Sequence, residues 1–135
     1  MRHTQTAFFY FFSILLSMNI FANIEMLKLD PGFKISIFAS DLDQPRQMIE
    51  SKNGTIFIGE RSGQIIALLD SDGNGQADSK RVIADDLTYS TGVSIFGGDL
   101  YFSEISKIWK IQDIENWLQK NSSGFPEKIL VTQDL

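Results

Sequence analysis

Residues 67–87 read ALLDSDGNGQADSKRVIADDL, an acidic, glycine-rich loop set between two apolar runs. Counted from Asp70, side-chain oxygens fall at positions one, three, five and nine (Asp70, Asp72, Asn74, Asp78), with the amide of Gln76 at seven and Gly75 at six. That is the spacing of a calcium loop, in which alternate residues turn their oxygens inward and the glycine permits a sharp bend. An EF-hand would close with a bidentate Glu at position twelve, but Arg81 stands there, and the flanks 64–69 and 81–84 read as strands rather than helices. The competing reading is a hairpin, because Asp72-Gly73 and Asn74-Gly75 supply the positive φ angles that tight turns between strands require. Both readings stay open: a plain turn, or a weak calcium loop showing only part of the roughly six to eight oxygens that the ion takes.

Outward from this loop, short strand signals alternate with turns. Residues 33–39 (FKISIFA), 46–50, 55–60 (TIFIGE), 64–69 (QIIALL) and 81–84 combine β-branched or aromatic residues with turn residues at their edges. A second series follows at 92–96 (GVSIF), 100–104 (LYFSE), 108–111 (IWKI) and 128–132 (KILVT). Within 111–118, Ile111, Ile114 and Leu118 recur at helical spacing, which predicts one short helix. The class is all-β with a small helical insertion.

The chain also repeats. An Asp-Leu pair leads into a loop at Asp41-Leu42, at Asp86-Leu87 and at Asp134-Leu135, at separations of 45 and 48 residues. Between these pairs the order recurs: strand, glycine turn (Asn53-Gly54, then Gly97-Gly98), a strand ending in Glu60 or Glu104, a further strand, a loop and a last strand. Four strands in about 40–50 residues is the signature of a propeller blade; a β-sandwich with coincidental spacing is the alternative. A propeller closes with about four to eight blades, whereas the sequence accounts for two plus a leading strand at 33–39. Isolated blades leave open edges and uncovered apolar faces, so the expectation is the amino-terminal part of a longer protein.

The first 22 residues, MRHTQTAFFYFFSILLSMNIFA, place Arg2 before an apolar run that ends at the small residue Ala22. This reads as a secretory signal peptide. Ser13, Ser17 and Asn19 interrupt the run, which falls short of the roughly 20 apolar residues that span a bilayer. The mature chain, 23–135, would then be periplasmic or secreted, with no stable membrane span. A net charge of −5 without a basic stripe argues against nucleic acid as a partner. With no cysteine, the chain has neither disulfides nor thiolate metal sites.

LKLDPGFKISIFASDLDQPRQMIESKNGTIFIGERSGQIIALLDSDGNGQADSKRVIADDL, followed by GVSIFGGDLYFSEISKIWKIQDIE, resembles the beginning of the soluble glucose and sorbosone dehydrogenases. The resemblance runs from Leu27 to Leu135; its most specific pieces are Pro31-Gly32-Phe33, Arg46-Gln47-Met48, the 70–78 loop and Gly98-Asp99-Leu100-Tyr101. It implies an exported six-bladed β-propeller using pyrroloquinoline quinone, of which about two four-stranded blades are present here. It further implies oxidation of a sugar hydroxyl or hydrated aldehyde, with electrons passed on to an acceptor. A histidine would serve as base, since its pKa lies near the operating pH, while calcium polarises the quinone and arginines and lysines hold its carboxylates.

In the family pattern, Arg46, Gln47, Arg61 and Thr91 are the residues able to line the cofactor face. Arg46 and Gln47 begin the innermost strand of the first blade, Arg61 follows its second strand, and Tyr89-Ser90-Thr91-Gly92 leads into the innermost strand of the second. Relatives often carry Pro-Asn-Gly where Ser90-Thr91-Gly92 stands. The structural reading of Arg46 and Arg61 is a solvated or inter-blade ion pair. Gly59 and Gly92 read as glycines that let strands approach closely, and Trp109 and Trp117 as packing anchors. No catalytic residue is assigned: the only histidine, His3, lies in the signal peptide, and the family's histidine is expected in the loop after Leu135. The chain by itself is expected to be inactive. A secreted, non-catalytic binding or scaffold module is the alternative function.

Overall fold

A computed structural model describes residues 26–120 and 123–133. The chain divides into a unit ending at Ile35 and a unit from Ser36 onward. The described part of the first, residues 26–35, turns at Pro31-Gly32, where the Phe33 amide donates to the Asp30 carbonyl at 3.2 Å. The signal peptide expected over residues 1–22 and the Asp134-Leu135 pair lie outside the described residues.

The second unit is two four-stranded antiparallel sheets in sequence order. The first holds β1 (Pro45–Glu50), β2 (Ile56–Glu60), β3 (Gln64–Leu69) and β4 (Ser79–Ala84). The second holds β5 (Val93–Phe96), β6 (Asp99–Ser103), β7 (Lys107–Ile111) and β8 (Ile129–Gln133), with the helix α1 (Ile114–Gln119) between β7 and β8. Meandering four-stranded sheets of this kind are propeller blades, and the all-β class with one short helix is what the sequence pattern predicts.

The strands alternate as the pleat requires. In blade 1, Phe57, Ile65 and Ala67 point to one face and Ile58, Ile66 and Leu68 to the other, and all six are buried. This is why β2 and β3 read as near-continuous apolar runs. The first face shares a core with blade 2, built by Ile83 and Leu87 with Val93, Leu100, Phe102, Ile111, Ile114 and Leu118. The second face is covered by Phe38, Ala39 and Leu42.

Two expectations need correction. Residues 33–39 form no strand: Phe38 and Ala39 lie over blade 1, and a backbone bond from the Ala77 amide to the Phe38 carbonyl at 2.8 Å ties them there without a ladder. Alternating apolar residues there serve packing rather than pairing. The helix begins at Ile114 rather than 111, because Ile111 ends β7 and Asp113, at φ 43°, turns the backbone left-handed between the two elements.

Gly59 of β2 sits against the segment that leads into β5. A Cβ built on it would lie 2.8 Å from the Thr91 carbonyl oxygen, a backbone atom that cannot swing aside. Gly59→Ala is expected to lower stability by about 1–3 kcal/mol, the usual cost of overpacking, measured by urea unfolding.

Candidate functional site

The loops that lead into the innermost strands β1 and β5 are built twice on one plan. Asp41 and Asp86 adopt φ of 57° and 53°, and Gln44 and Tyr89 adopt 55° and 53°; each pair is 45 positions apart. Left-handed backbone at a non-glycine residue is strained and persists only where surroundings hold it. What holds it is a carboxylate at the end of each blade's second strand. Glu60, 2% exposed, accepts the Asp43 amide at 2.9 Å through Oε1. Glu104 accepts the Thr88 amide at 2.9 Å through Oε2, and its Oε1 accepts the Trp109 indole N–H at 2.6 Å. Backbone bonds complete the plan: the Arg61 amide donates to Gln44 at 3.1 Å, and the Ile105 amide to Thr88 at 3.2 Å. The equivalent places of Glu60 and Glu104 in the repeat thus have a shared physical role.

On this frame the four predicted cofactor residues take different positions. Arg46 is the residue that the β1–β2 ladder skips, between the pairs Pro45–Glu60 and Gln47–Gly59; such a bulge re-aims a side chain and is common beside active sites. Arg46 is exposed and makes no hydrogen bond or ion pair among the described residues. The Gln47 Oε1 accepts the Val93 amide at 3.2 Å, tying β1 to β5. The Arg61 guanidinium stacks on the Tyr89 ring, 4.9 Å from its centroid, rather than joining an ion pair. Thr91 is exposed, with its carbonyl against Gly59. Gln47, Thr91 and, through Tyr89, Arg61 therefore meet at the seam between the blades, with Arg46 beside them on the bulge.

Sequence reasoning singled out the loop at 89–92 but missed Tyr89 as the partner of Arg61. The signal was present in the offset: Tyr89-Ser90 stands 45 residues after Gln44-Pro45, so both occupy the left-handed corner of a lead-in loop. Gly92 is a close-approach glycine as expected, since a Cβ there would lie 2.7 Å from the Ser103 hydroxyl that accepts its amide. Trp109 and Trp117 pack against the shared core.

The 70–78 loop is the hairpin between β3 and β4, closed by the Asp78 amide donating to the Leu69 carbonyl at 2.8 Å. Asp70 Oδ2 accepts the Gly75 amide at 2.9 Å, and Oδ1 accepts those of Gly73 and Asn74 at 2.8 and 3.2 Å. The Gly75 amide, with help from the other two, holds the Asp70 carboxyl below its ordinary pKa. Asp72 accepts from Asn74, the Asn74 side-chain Oδ1 accepts the Gln76 amide at 2.8 Å, and Asp78 accepts from Ser71. Carboxylate oxygens of Asp70, Asp72 and Asp78 nevertheless lie within 4.8 Å of one another.

No protein-family model and no curated protein sequence matches the chain. Two solved structures share its fold. One is the holo form of the pyranose dehydrogenase PQQ domain from Coprinopsis cinerea, with TM-score 0.63 and 18% identity over 80% of this chain and 26% of that one. The other is the iodide structure of Trichoderma reesei Carbohydrate-Active Enzymes Family AA12, with TM-score 0.57 and 18% identity over 73% of this chain and 26% of that one. The chain thus spans about a quarter of the length of both. The fold is thus two blades of a β-propeller, arranged as in the PQQ domain of that pyranose dehydrogenase. Among the described residues, no helix is long and apolar enough to cross a membrane.

Glu104 makes this region acid-sensitive. Burial disfavours its charged form, yet the Thr88 amide, the Trp109 indole and the cations of Lys107 and Lys128 outweigh burial and hold its carboxyl below the ordinary 4.5. A depressed folded-state pKa stabilises the fold at pH above the unfolded value, and that contribution is lost as pH falls through the folded value. Glu104→Gln is expected to destabilise the chain at neutral pH by about 1–3 kcal/mol, the range for hydrogen bonds to charged groups. The difference from wild type should shrink on acidification below pH 4.5, followed by Trp fluorescence in urea titrations.

Proposed function

We propose that residues 23–135, after removal of the signal peptide 1–22, form the first two blades of an exported, six-bladed, PQQ-dependent sugar dehydrogenase of the glucose and sorbosone type. The whole protein would oxidise a sugar hydroxyl or hydrated aldehyde and pass electrons to an acceptor, in the periplasm or outside the cell. One observation carries this reading: a 45-residue blade plan, repeated down to its left-handed corners, in a fold shared with a PQQ domain at TM-score 0.63.

The residues present suit that cofactor. Arg46 on the bulge and Arg61 over Tyr89 are cations on the face where the lead-in loops converge, and guanidinium forks match carboxylates. Thr91 adds an exposed hydroxyl. Gln47 offers its amide N–H groups, while its oxygen already accepts the Val93 amide. The quinone, when bound, supplies the acceptor for hydride; the residues described here would hold and orient it. The base that takes the hydroxyl proton belongs, in this proposal, to further blades.

The test compares the purified chain with the product of an extended reading frame, each supplied with quinone and calcium. Cofactor absorbance and sugar-dependent dye reduction are expected only for the longer protein, and Arg46→Ala in that protein should weaken quinone binding about tenfold or more, the loss of a charge-assisted contact. Turnover by the 135-residue chain would overthrow the division of labour. A longer protein that folds but ignores the quinone would favour the secreted, non-catalytic module.

Calcium at the 70–78 hairpin is a separate proposal, supported by the three clustered carboxylates with Asn74 and Gln76 at ligand spacing. Calorimetric titration should show saturable calcium uptake that Asp70→Asn abolishes. Heat signals identical in the two proteins would leave the hairpin a plain turn.

A further inference from the structure

Two Asn-Gly pairs, Asn53-Gly54 and Asn74-Gly75, stand at exposed turns. In such a pair the glycine nitrogen can attack the asparagine side-chain carbonyl carbon, because no β-carbon crowds its approach and the glycine backbone turns freely. A C–N bond forms, ammonia leaves, and the resulting succinimide takes up one water at either carbonyl, giving aspartate or isoaspartate. The nitrogen must shed its proton and the side chain must swing onto it, so hydrogen bonds held by either group slow the step.

The two pairs differ in what holds them. At Asn74 every participant is engaged: Nδ2 donates to Asp72 Oδ2 at 3.0 Å, Oδ1 accepts the Gln76 amide at 2.8 Å, and the Gly75 N–H donates to Asp70 Oδ2 at 2.9 Å. The neighbouring carboxylates also disfavour the negative charge that proton loss would leave on the Gly75 nitrogen. At Asn53 the side chain makes no hydrogen bond among the described residues. Only backbone groups are engaged there. The Asn53 N–H donates to the Ser51 hydroxyl at 3.2 Å, and the Gly54 N–H to the Ser51 carbonyl at 3.1 Å, a neutral acceptor and so a weaker bond than one to a carboxylate. The adjacent charged side chain is the cation of Lys52.

We propose that Asn53 is a site of spontaneous deamidation in the folded protein and that the 70–78 hairpin shields Asn74 from the same reaction. The product bears on the seam between the blades. An isoaspartate inserts one backbone carbon into the β1–β2 turn, two residues before Thr55, whose hydroxyl donates to Glu115 at 3.1 Å. The reaction needs water alone and is independent of the oxidation proposed above.

The experiment is incubation of the full chain at neutral and mildly alkaline pH, folded and in urea, followed by peptide mass spectrometry and enzymatic methylation of isoaspartate. In the folded chain, conversion at Asn53 is expected to run about tenfold or more ahead of Asn74, as suits two additional hydrogen bonds at the shielded pair, and to quicken with pH. In urea the two rates are expected to converge. Asp72→Ala, which frees Nδ2 of Asn74, should speed conversion at Asn74 and leave Asn53 unchanged. Survival of Asn53 in the folded chain while it converts in urea overturns the proposal. Equal rates at the two pairs in the folded chain overturn it too, as does an Asn74 rate untouched by Asp72→Ala.

Discussion

A carboxylate that closes the second strand of a blade and captures a backbone amide of its own lead-in loop is the contact on which the rest of this structure depends. Glu60 does this for Asp43 and Glu104 for Thr88. Each loop must reverse the chain through two left-handed residues that carry β-carbons, an arrangement with no intrinsic preference in its favour. An acceptor bearing full charge, held away from water, makes the bond strong enough to hold the corner. With the corner set, the innermost strand starts in one direction only, and side chains at its first turn, Arg46 and Gln47 among them, acquire defined places.

Once both blades have this geometry, the seam between them follows. Its middle is apolar, from Phe57, Ile65 and Ile83 on one side to Leu100, Phe102 and Ile111 on the other. Polar staples sit at the margins: Gln47 on Val93 near the lead-in loops, Thr55 on Glu115 at the other end, and Arg81 on the Leu118 carbonyl and the Trp117 ring along the outside. Burial supplies non-directional attraction, whereas the staples fix how one sheet sits on the other. Blade 1 buries both faces of β2 and β3 but leaves Met48 of β1 exposed, and blade 2 leaves Phe96, Leu130 and Val131 exposed. Repeat architectures bury each unit's faces only between neighbours.

The repeat was legible because it is written in local chemistry. Asn53-Gly54 and Gly97-Gly98 sit at the hairpins with positive φ glycines, and Asp41-Leu42 returns as Asp86-Leu87 with matching backbone angles. Residues 33–39 misled for the converse reason: alternation reports which side chains face a core, and Phe38 and Ala39 do face one, but without a partner strand the backbone forms no ladder. Ile111 likewise fits a helical period by spacing alone, and only the left-handed Asp113 shows where β7 stops. The Arg61–Tyr89 stack and the Gln47–Val93 bond were not legible, since each joins residues 28 and 46 positions apart through a fold that a single sequence does not spell out.

The two ends of the seam differ in how their carboxylates are used. Near the lead-in loops the carboxylates of Glu60 and Glu104 are turned inward and occupied by backbone amides, and the Gln47 oxygen by Val93. Arg46, Arg61 and the Gln47 amide place donors on that face, beside the exposed Thr91 hydroxyl, which donates or accepts. The guanidinium forks there complement carboxylate and carbonyl oxygens. The far end keeps both an acceptor without a partner, on Glu115, and a cation, on Lys52. Two blades made on one plan thus differ at their two rims: at one, the carboxylates of Glu60 and Glu104 shape the backbone of the lead-in loops, and at the other Glu115 keeps one oxygen without a partner among the described residues.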